Sequence, residues 1–208
     1  MQTIILDSCS YTCLGLLQSL SDSGIQEKNV SFVRTFDQLS LRSLQKETGV
    51  IFINEACLQP HDENSEQIRN LISQYPKTLF FIFMSETRTH FEECVFIRRN
   101  VIISSKSIKT VTLNLLIRNY MDNYVLSGLE FTTLDITPVI LSRSESNTLK
   151  MWMSGESTAQ ISDKLHIKVK TVSSYKSNIK RKIKSANKHI IYHVVRLSDQ
   201  FTGGIYVN

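Results

Sequence analysis

Five short apolar runs in the first half of the chain limit what it can fold into. Strands that are apolar without alternation are buried on both faces of a sheet. Apolar residues at helical spacing fill the segments between and after the runs. The strands are predicted at 3–6 (TIIL), 30–33 (VSFV), 50–53 (VIFI), 79–84 (LFFIFM) and 101–104 (VIIS), and helices at about 14–20, 36–47, 65–75 and 107–124.

Strands that alternate with helices predict an α/β domain with a doubly wound parallel sheet. Five strands with helices between and after them, in about 120 residues, fit a flavodoxin-like domain, which we place at 1–124. The pattern breaks at 125–137, where SGLEFTTLDIT has no helical periodicity and Pro138 follows, so a linker is predicted there. The rest, 138–208, is helical to about Phe201 and predicts an all-α domain.

The two predicted domains differ in charge. Residues 138–208 contain 12 Lys and Arg against 4 Asp and Glu, a net charge of +8, whereas the remainder has 12 against 15, a net charge of −3. A basic module joined to an acidic one indicates that the C-terminal part meets a polyanion. A solvated basic surface would have the same composition, so charge alone leaves both interpretations open.

Two capping boxes mark helix starts in the C-terminal part. Ser142 with Glu145 has the S-x-x-E pattern, and Ser157 with Gln160 repeats it with a Gln. Gly155 between them predicts the end of the first helix, because Gly tolerates the left-handed conformation. A short turn, HIKVK, then leads to a third helix, and a fourth helix follows.

The third helix, predicted from near Thr171, has two distinct faces. Small polar residues let a helix approach base edges, and Lys or Arg reach phosphates. A short helix, a tight turn and such a helix make a helix-turn-helix. A basic amphipathic helix is also typical of a solvated or protein-docking face, so this alternative stays open here. The inward face is Val172, Tyr175, Ile179 and Ile183, and the outward face is Lys170, Ser173, Ser174, Ser177, Asn178 and Arg181.

The sequence argues against several other classes. No segment has the length and hydropathy of a membrane span, and the N-terminus lacks a secretory pattern, so we expect a cytoplasmic protein. No catalytic set, P-loop or dinucleotide fingerprint is present, so neither an enzyme nor a cofactor is predicted. No His or Cys pair follows Cys9 and Cys13 at zinc-site spacing, so no metal site is predicted. His166 has no His or Cys nearby as a partner and is predicted to pack at the surface. The four cysteines, Cys9, Cys13, Cys57 and Cys94, are expected to be reduced and at least partly buried.

The segment LSRSESNTLKMWMSGESTAQISDKLHIKVKTVSSYKSNIKRKI resembles the LuxR/FixJ-type helix-turn-helix family. Where that family has a Ser or Thr cap before the recognition helix, this chain has Lys168, which leaves the helix start open, with Thr171 as a candidate cap. The residues that carry the resemblance are Leu141, Glu145, Leu149, Gly155, Ser157, Ile161, Leu165, Thr171, Val172, Ile179 and Lys182.

Further segments, TIILDSCSYTCLGL, VIFINEACL, ISSKSIK, MWMSGEST and KTVSSYKSNIKRKIK, extend the similarity to a family of auxiliary activators of capsular exopolysaccharide genes in enterobacteria. This resemblance implies promoter DNA as a partner, a heterodimer with an RcsB-like response regulator, and turnover by the Lon protease. It also implies that Ser173, Ser174 and Ser177 enter the major groove. Phosphate contacts are implied for Lys170, Thr171, Lys176, Lys180 and Lys184, with Asn178 and Arg181 completing the predicted DNA-binding set.

The N-terminal domain resembles a response-regulator receiver that has lost its chemistry. A working receiver needs an acidic pair for Mg²⁺, a phosphoryl-accepting Asp, a hydroxyl and a Lys, because the cations offset charge on the transferring phosphoryl group. Asp7 is followed by Ser8, and Asn54 stands at the acceptor position. Glu55 is adjacent, and neighbours on a strand point to opposite faces, so it is not expected to replace the acceptor. Ser85 and Lys106 remain in plausible places.

The leading hypothesis is therefore a DNA-binding transcription activator whose receiver-like domain is not phosphorylated and recruits a partner. The alternative is an adaptor that modulates a partner regulator without reading DNA. Ser-rich base-facing positions, with no Arg or Asn at the first of them, keep that alternative open.

Overall fold

The computed structural model describes residues 2–41, 48–58, 62–85, 90–125 and 138–204. Residues 2–125 form one sheet with helices on both faces, here called the sheet unit. Residues 138–204 form four helices, here called the helical unit. The predicted linker lies outside the described residues apart from Val125, which ends the last helix of the sheet unit.

The sheet has six strands in the order β2-β1-β3-β4-β6-β5. The first five in that order pair in parallel, as the apolar runs predicted, whereas β5 is antiparallel to β6 at the edge. The strands are β1 (Gln2–Leu6), β2 (Val30–Val33), β3 (Thr48–Asn54), β4 (Leu79–Met84), β5 (Val95–Arg98) and β6 (Val101–Ser105).

The sheet unit contains four helices among its described residues: α1 (Ser10–Asp22), α2 (Phe36–Leu41), α3 (Asp62–Gln74) and α4 (Thr110–Val125). The prediction of five strands missed β5. There the segment VFIR turns back at Asn100 and extends the sheet as an edge strand. The last helix also begins three residues later than predicted, at Thr110 rather than Ser107.

Two buried layers sandwich the sheet. On one face, Ile5, Phe52 and Phe81 pack with α1 and α4. On the other face, Ile51 and Ile82 pack with α2 and α3 in a cluster that continues into the helical unit. Strand residues therefore alternate between two apolar layers, which is why the runs show little alternation in polarity.

The helical unit contains α5 (Arg143–Met153), α6 (Thr158–Leu165), α7 (Val169–Lys182) and α8 (Lys188–Thr202). Helix α8 lies against α3 and β5. Polar contacts at this junction run from Val139 N to the Phe96 carbonyl (2.7 Å) and from Arg98 Nη2 to the Thr202 carbonyl (2.6 Å). The helical unit is therefore attached to the sheet unit by its last helix.

Among the described helices, none combines the length and the hydropathy that crossing a bilayer requires.

Candidate nucleic-acid interface

The two capping boxes are confirmed. The Ser142 hydroxyl accepts from the Glu145 amide and the Glu145 carboxylate accepts from the Ser142 amide (2.8 Å), and Ser157 and Gln160 repeat both bonds. Gly155 follows α5 with φ of 91°, the left-handed conformation predicted for it. The starts of α5 and α6 are thus set locally, before the unit packs together.

The turn between α6 and α7 is tight. His166 ends α6 in a left-handed conformation (φ 52°, ψ 41°), and its side chain is exposed. The Ser162 hydroxyl donates to the Ile167 carbonyl (2.5 Å), while the Ile167 amide donates back to the Ser162 carbonyl (3.1 Å). These two bonds fix the angle at which the chain enters α7.

Helix α7 begins at Val169, two residues before the predicted start. Lys168 is its N-cap residue in extended conformation (φ −65°, ψ 144°), and its side chain makes no capping bond. Thr171 lies one turn inside the helix and is not the cap. The prediction failed because the chain bends into the helix without the usual side-chain acceptor.

The inner face of α7 is as predicted. Val172 and Ile179 are fully buried, as is Ile183 just after the last residue of α7, and Tyr175 is half-buried, against α5 and α6. An apolar stripe at helical spacing therefore fixes the rotation of α7 about its axis.

The outer face of α7 is exposed at Lys170, Ser173, Ser174, Ser177 and Arg181. The hydroxyls of the first two serines donate to the carbonyls four residues earlier, at 3.1 and 3.0 Å. Since each donation uses only the hydroxyl hydrogen, the oxygen lone pairs stay available as acceptors.

Two of the predicted phosphate-binding lysines lie beside Trp152. The Lys176 and Lys180 ammonium groups are 5.2 and 5.9 Å from the centre of its ring, within the range of cation–π attraction. Lys176 also donates to the Thr158 hydroxyl (3.0 Å) and is half-buried. Burial, then repulsion from Lys188 and Lys180, lowers the pKa of Lys176. Lys176 therefore already has partners inside the unit.

The remaining polar positions divide by role. Asn178 is half-buried, and its oxygen accepts from Arg181 (3.4 Å). Lys184 is exposed but lies beyond the end of α7, with φ of 57°. Lys182, by contrast, forms an ion pair with the buried Glu145 (2.6 Å) and donates to the Ile140 carbonyl (2.9 Å). Lys182 thus joins α7 to α5.

Glu145 is 4% exposed, and its carboxylate is the acidic partner in the ion pair with Lys182. Burial is the largest influence on it and opposes ionisation. Hydrogen bonds from Lys182 and from Ser142 together nevertheless hold the pKa of Glu145 below its ordinary value. The family markers Glu145 and Lys182 are therefore explained as one structural contact.

The receiver-like positions meet at the carboxyl edge of the sheet. Asp7 is buried, pairs with Lys106 (2.7 Å) and accepts from the Cys9 amide (2.8 Å). Lys106 also donates to the Thr12 hydroxyl (3.1 Å). Asn54 is buried and accepts from the Ala56 amide (3.0 Å). Ser8 is exposed beside Asp7.

Glu55 is the residue that the sequence interpretation misjudged. It lies in a 3-10 turn after β3 rather than on the strand, so the alternation rule does not apply to it. Its carboxylate accepts from the Ser85 amide (2.9 Å) and hydroxyl (3.1 Å), and it forms an ion pair with Arg196 of α8. Arg196 is 141 residues away in sequence, and no local pattern pointed to this contact.

The cysteines differ in exposure. Cys94 is buried, and burial raises its pKa to about 11. Cys9 is exposed, contrary to expectation, because it precedes α1 at the edge of the sheet, and hydrogen bonding with Thr12 lowers its pKa. The described part of the chain contains no cluster of His, Cys, Asp and Glu that could hold a metal ion.

Two family models match the chain. One, the N-terminal dimerisation domain of the transcriptional regulator RcsA, matches residues 2–127. The other, bacterial regulatory proteins of the luxR family, matches residues 139–195.

Relatives match along the whole chain. The transcriptional regulatory proteins RcsA of Pantoea stewartii subsp. stewartii and of Erwinia amylovora are 53% and 52% identical to it, over 100% of this chain and 99% of each relative. RcsA of Salmonella typhimurium is 46% identical over the same shares.

Solved structures share the architecture. A complex of the two-component response regulator RcsB with DNA has a TM-score of 0.51 at 18% identity, over 92% of this chain and 95% of that chain. A structure of two RcsB dimers bound to two parallel DNAs has a TM-score of 0.50 at 16% identity, over the same shares. At such identities the likeness concerns the fold alone. The relatives and family models together show that the chain belongs to the RcsA family of transcriptional regulators, in which an RcsA-type N-terminal domain precedes a luxR-type DNA-binding domain.

Proposed function

We propose that the chain is a transcription activator that binds promoter DNA through α7 as a heterodimer with a response regulator resembling RcsB, at genes for capsular exopolysaccharide synthesis. The observation that carries the proposal is the outer face of α7, which is exposed, uncharged at its three serines and basic around them. The opposite face of the helix packs against α5 and α6, with Val172 and Ile179 buried. The outer face is therefore open to contact a ligand.

Base contacts are assigned to Ser173, Ser174 and Ser177. Short side chains let the helix approach the floor of the major groove, where a serine oxygen accepts from the amino group of adenine or cytosine. The back-bonded hydroxyls of the first two serines suit that acceptor role, because their hydrogens already point along the helix.

Phosphate contacts are assigned to Lys170, Thr171, Lys180, Arg181 and Lys184. Lys170 and Thr171 stand in the first turn of α7, where the positive end of the helix dipole adds to the attraction for phosphate. Lys180, Arg181 and Lys184 stand around its other end, so the two groups could contact backbones on opposite sides of one groove. Lys176 and Asn178 are assigned a supporting role, since both already have partners within the unit.

The sheet unit is assigned a pairing role in place of phosphotransfer, in keeping with the description of its family model as a dimerisation domain. Asn54 has no anionic oxygen to attack phosphorus, and Lys106 is occupied by Asp7. We therefore expect no incorporation of label when the chain is incubated with a radioactive small-molecule phosphodonor and Mg²⁺. A response regulator labelled in parallel is the positive control. Label retained on this chain would show that the sheet unit still accepts a phosphoryl group and would contradict the assigned pairing role.

The test of the DNA-reading half is a footprint on a capsule-gene promoter with the response regulator alone and with both proteins. The proposal predicts that this chain adds protection at a second half-site next to that of the partner. Randomising that half-site should abolish the added protection and leave the partner's own footprint.

The adaptor is the second candidate, and the lack of Arg or Asn among the first base-facing residues favours it. It predicts a stronger partner footprint of unchanged extent, with no effect of randomising the neighbouring sequence.

The family resemblance also supports turnover by the Lon protease, which the half-life of the chain in cells with and without Lon would test.

A further inference from the structure

Two of the four cysteines lie one helical turn apart at the start of α1. Cys9 is the N-cap residue of α1 and is exposed, whereas Cys13 lies inside the helix and is half-buried. The Cys13 amide donates to the Cys9 carbonyl (3.1 Å), the bond that closes a helical turn. Cα atoms related in this way are about 6 Å apart, which is within the range that a disulfide can bridge.

The Cys13 thiol leans back towards the start of the helix. Helical side chains tilt towards the N-terminus, and the Cys13 thiol reaches the Asp7 carbonyl, to which it donates (3.6 Å). Between two residues of a regular helix the Cβ atoms would be about 5–6 Å apart, too far for a disulfide. Cys9 escapes this restriction because its backbone is extended (φ −86°, ψ 111°). Rotation of the exposed Cys9 side chain can therefore bring its sulfur to that of Cys13.

The two thiols differ as a nucleophile differs from a resolving thiol. Hydrogen bonding with the side chain and then with the amide of Thr12 lowers the pKa of Cys9, and the positive charge of Lys106 adds to this effect. Burial, followed by the negative charges of Asp7 and Cys9, raises the pKa of Cys13. Since the thiolate and not the thiol attacks an oxidant, Cys9 reacts first while Cys13 stays protonated beside it.

Both thiols are open to a small oxidant. Cys9 is exposed, and Cys13 lines a cleft of about 290 Å³ together with the exposed Ser8. The other two cysteines are less suited to the reaction. Cys94 is buried, and burial raises its pKa to about 11. Cys57 is half-buried, and its influence on the pKa of Cys13 is smaller than that of Cys9.

We propose that Cys9 and Cys13 form a reversible thiol–disulfide pair that is oxidised by hydrogen peroxide. The Cys9 thiolate attacks one peroxide oxygen, so that an S–O bond forms, the O–O bond breaks and hydroxide leaves. The Cys13 thiol gives its proton to that hydroxide, and its sulfur attacks the Cys9 sulfur. The S–S bond then forms, the S–O bond breaks, and the second hydroxide leaves and takes a proton from solvent. The two sulfurs together lose the two electrons that the peroxide gains.

The Asp7 side chain connects this pair to the rest of the carboxyl edge of the sheet. Its carboxylate accepts from the Cys9 amide (2.8 Å) and pairs with Lys106 (2.7 Å). Disulfide formation removes the hydrogen that Cys13 donates to the Asp7 carbonyl. Oxidation therefore acts on the edge at which a working receiver would carry its phosphoryl group. The inference does not depend on the proposed function, because every group that it uses lies in the sheet unit.

The test is oxidation of the full chain by a small molar excess of hydrogen peroxide at neutral pH, followed by alkylation and mass spectrometry. Residues 1–28 form one tryptic peptide, which contains Cys9 and Cys13 and no other cysteine. We expect this peptide to lose two hydrogens and to escape alkylation, and to be alkylated at both cysteines when dithiothreitol is added first. The peptides that contain Cys57 and Cys94 should be alkylated throughout.

Single variants separate the two roles. Cys9→Ser should slow the oxidation of Cys13 at least about tenfold, whereas Cys13→Ser should leave Cys9 as a sulfenic acid that dimedone labels. Cys57→Ser is the matched control and should react like the unaltered chain. Thr12→Val keeps the shape of the side chain and removes its hydroxyl, so it should slow the reaction of Cys9 without changing thermal unfolding. The proposal is wrong if Cys9 reacts no faster than Cys57, or if the disulfide that forms includes Cys57.

Discussion

Helices α7 and α8 are neighbours in one unit, yet they face different surroundings. Only two residues of α7 are buried, Val172 and Ile179, whereas eight residues of α8 are buried. Helix α7 carries Lys and Arg along its exposed side, and α8 places Phe201 in an apolar layer shared with the sheet unit. The sheet unit thus packs against α8 and leaves exposed the outer face of α7, which is predicted to contact DNA.

The largest effect on stability is expected from a substitution on the buried side of α8. Phe201→Ala removes a ring that is 0% exposed and should lower the free energy of unfolding by about 3–5 kcal/mol. Tyr192→Ala is the matched control in the same helix, because Tyr192 is 48% exposed and its loss should cost less than about 1 kcal/mol. Urea unfolding measures both, and equal losses would mean that α8 is not anchored as described.

The second-largest effect is expected on DNA affinity, from lysines on the exposed side of α7 and just after its end. Lys180→Ala with Lys184→Ala should weaken binding to promoter DNA by roughly ten- to a hundredfold and reduce the salt slope by about two, through loss of two phosphate contacts. Lys150→Ala with Lys109→Ala removes the same charge elsewhere, since Lys150 lies near Asp199 of α8 and Lys109 pairs with Glu92. A titration of fluorescent duplex at several salt concentrations compares the pairs. If both double variants weaken DNA binding equally, Lys180 and Lys184 contribute only through the net charge of the chain and not through their position on α7.

A smaller effect should appear where α7 is joined to α5. Lys182→Met leaves the Glu145 carboxylate buried without its ammonium partner and should cost about 2 kcal/mol at neutral pH. The folded-state pKa of Glu145 is lowered from 4.5, so the stabilisation is fully present above that pH and is lost as the pH falls through the folded-state pKa. Urea unfolding from pH 7 downward should therefore show the two proteins converging below about pH 4.5, and a constant gap would contradict the assignment.

The smallest effect concerns the ion pair between the two units. Arg196 is 40% exposed at its side chain and Glu55 is 8% exposed, so Arg196→Gln should cost only about 1 kcal/mol. Amide hydrogen exchange in α8 should become faster, while Glu55 keeps its bonds from Ser85. DNA affinity should not change. Exchange as slow as in the unaltered chain would mean that the other contacts at the junction hold the units together without this ion pair.

The sequence predicted those features whose causes are local. Apolar runs predicted the five parallel-paired strands, and the Ser142 and Ser157 boxes predicted two helix starts. The inner face of α7 followed from spacing alone. Strand β5 was missed because its four residues are stabilised by pairing with β6 and not by a pattern of their own.

The errors at the site have long-range causes. Glu55 and Arg196 meet through the packing of two units, which neither segment encodes separately. The sequence also did not reveal that Lys176 lies beside Trp152 or that Lys182 pairs with Glu145. The early start of α7 has a local cause instead, because Lys168 adopts the N-cap geometry without supplying a side-chain cap. Residue type predicted a basic helix, and only the fold separates its exposed lysines from those that hold the unit together.

In the proposed function, the serines of α7 read base sequence. The most direct measurement compares the affinity of the full chain and its partner for a promoter duplex and for a scrambled duplex, before and after Ser173→Ala, Ser174→Ala and Ser177→Ala are combined. We expect the ratio of the two affinities to fall by roughly tenfold or more while the salt slope is unchanged, because base contacts are lost and phosphate contacts remain. An unchanged ratio would show that base sequence is read by other residues and not by these serines.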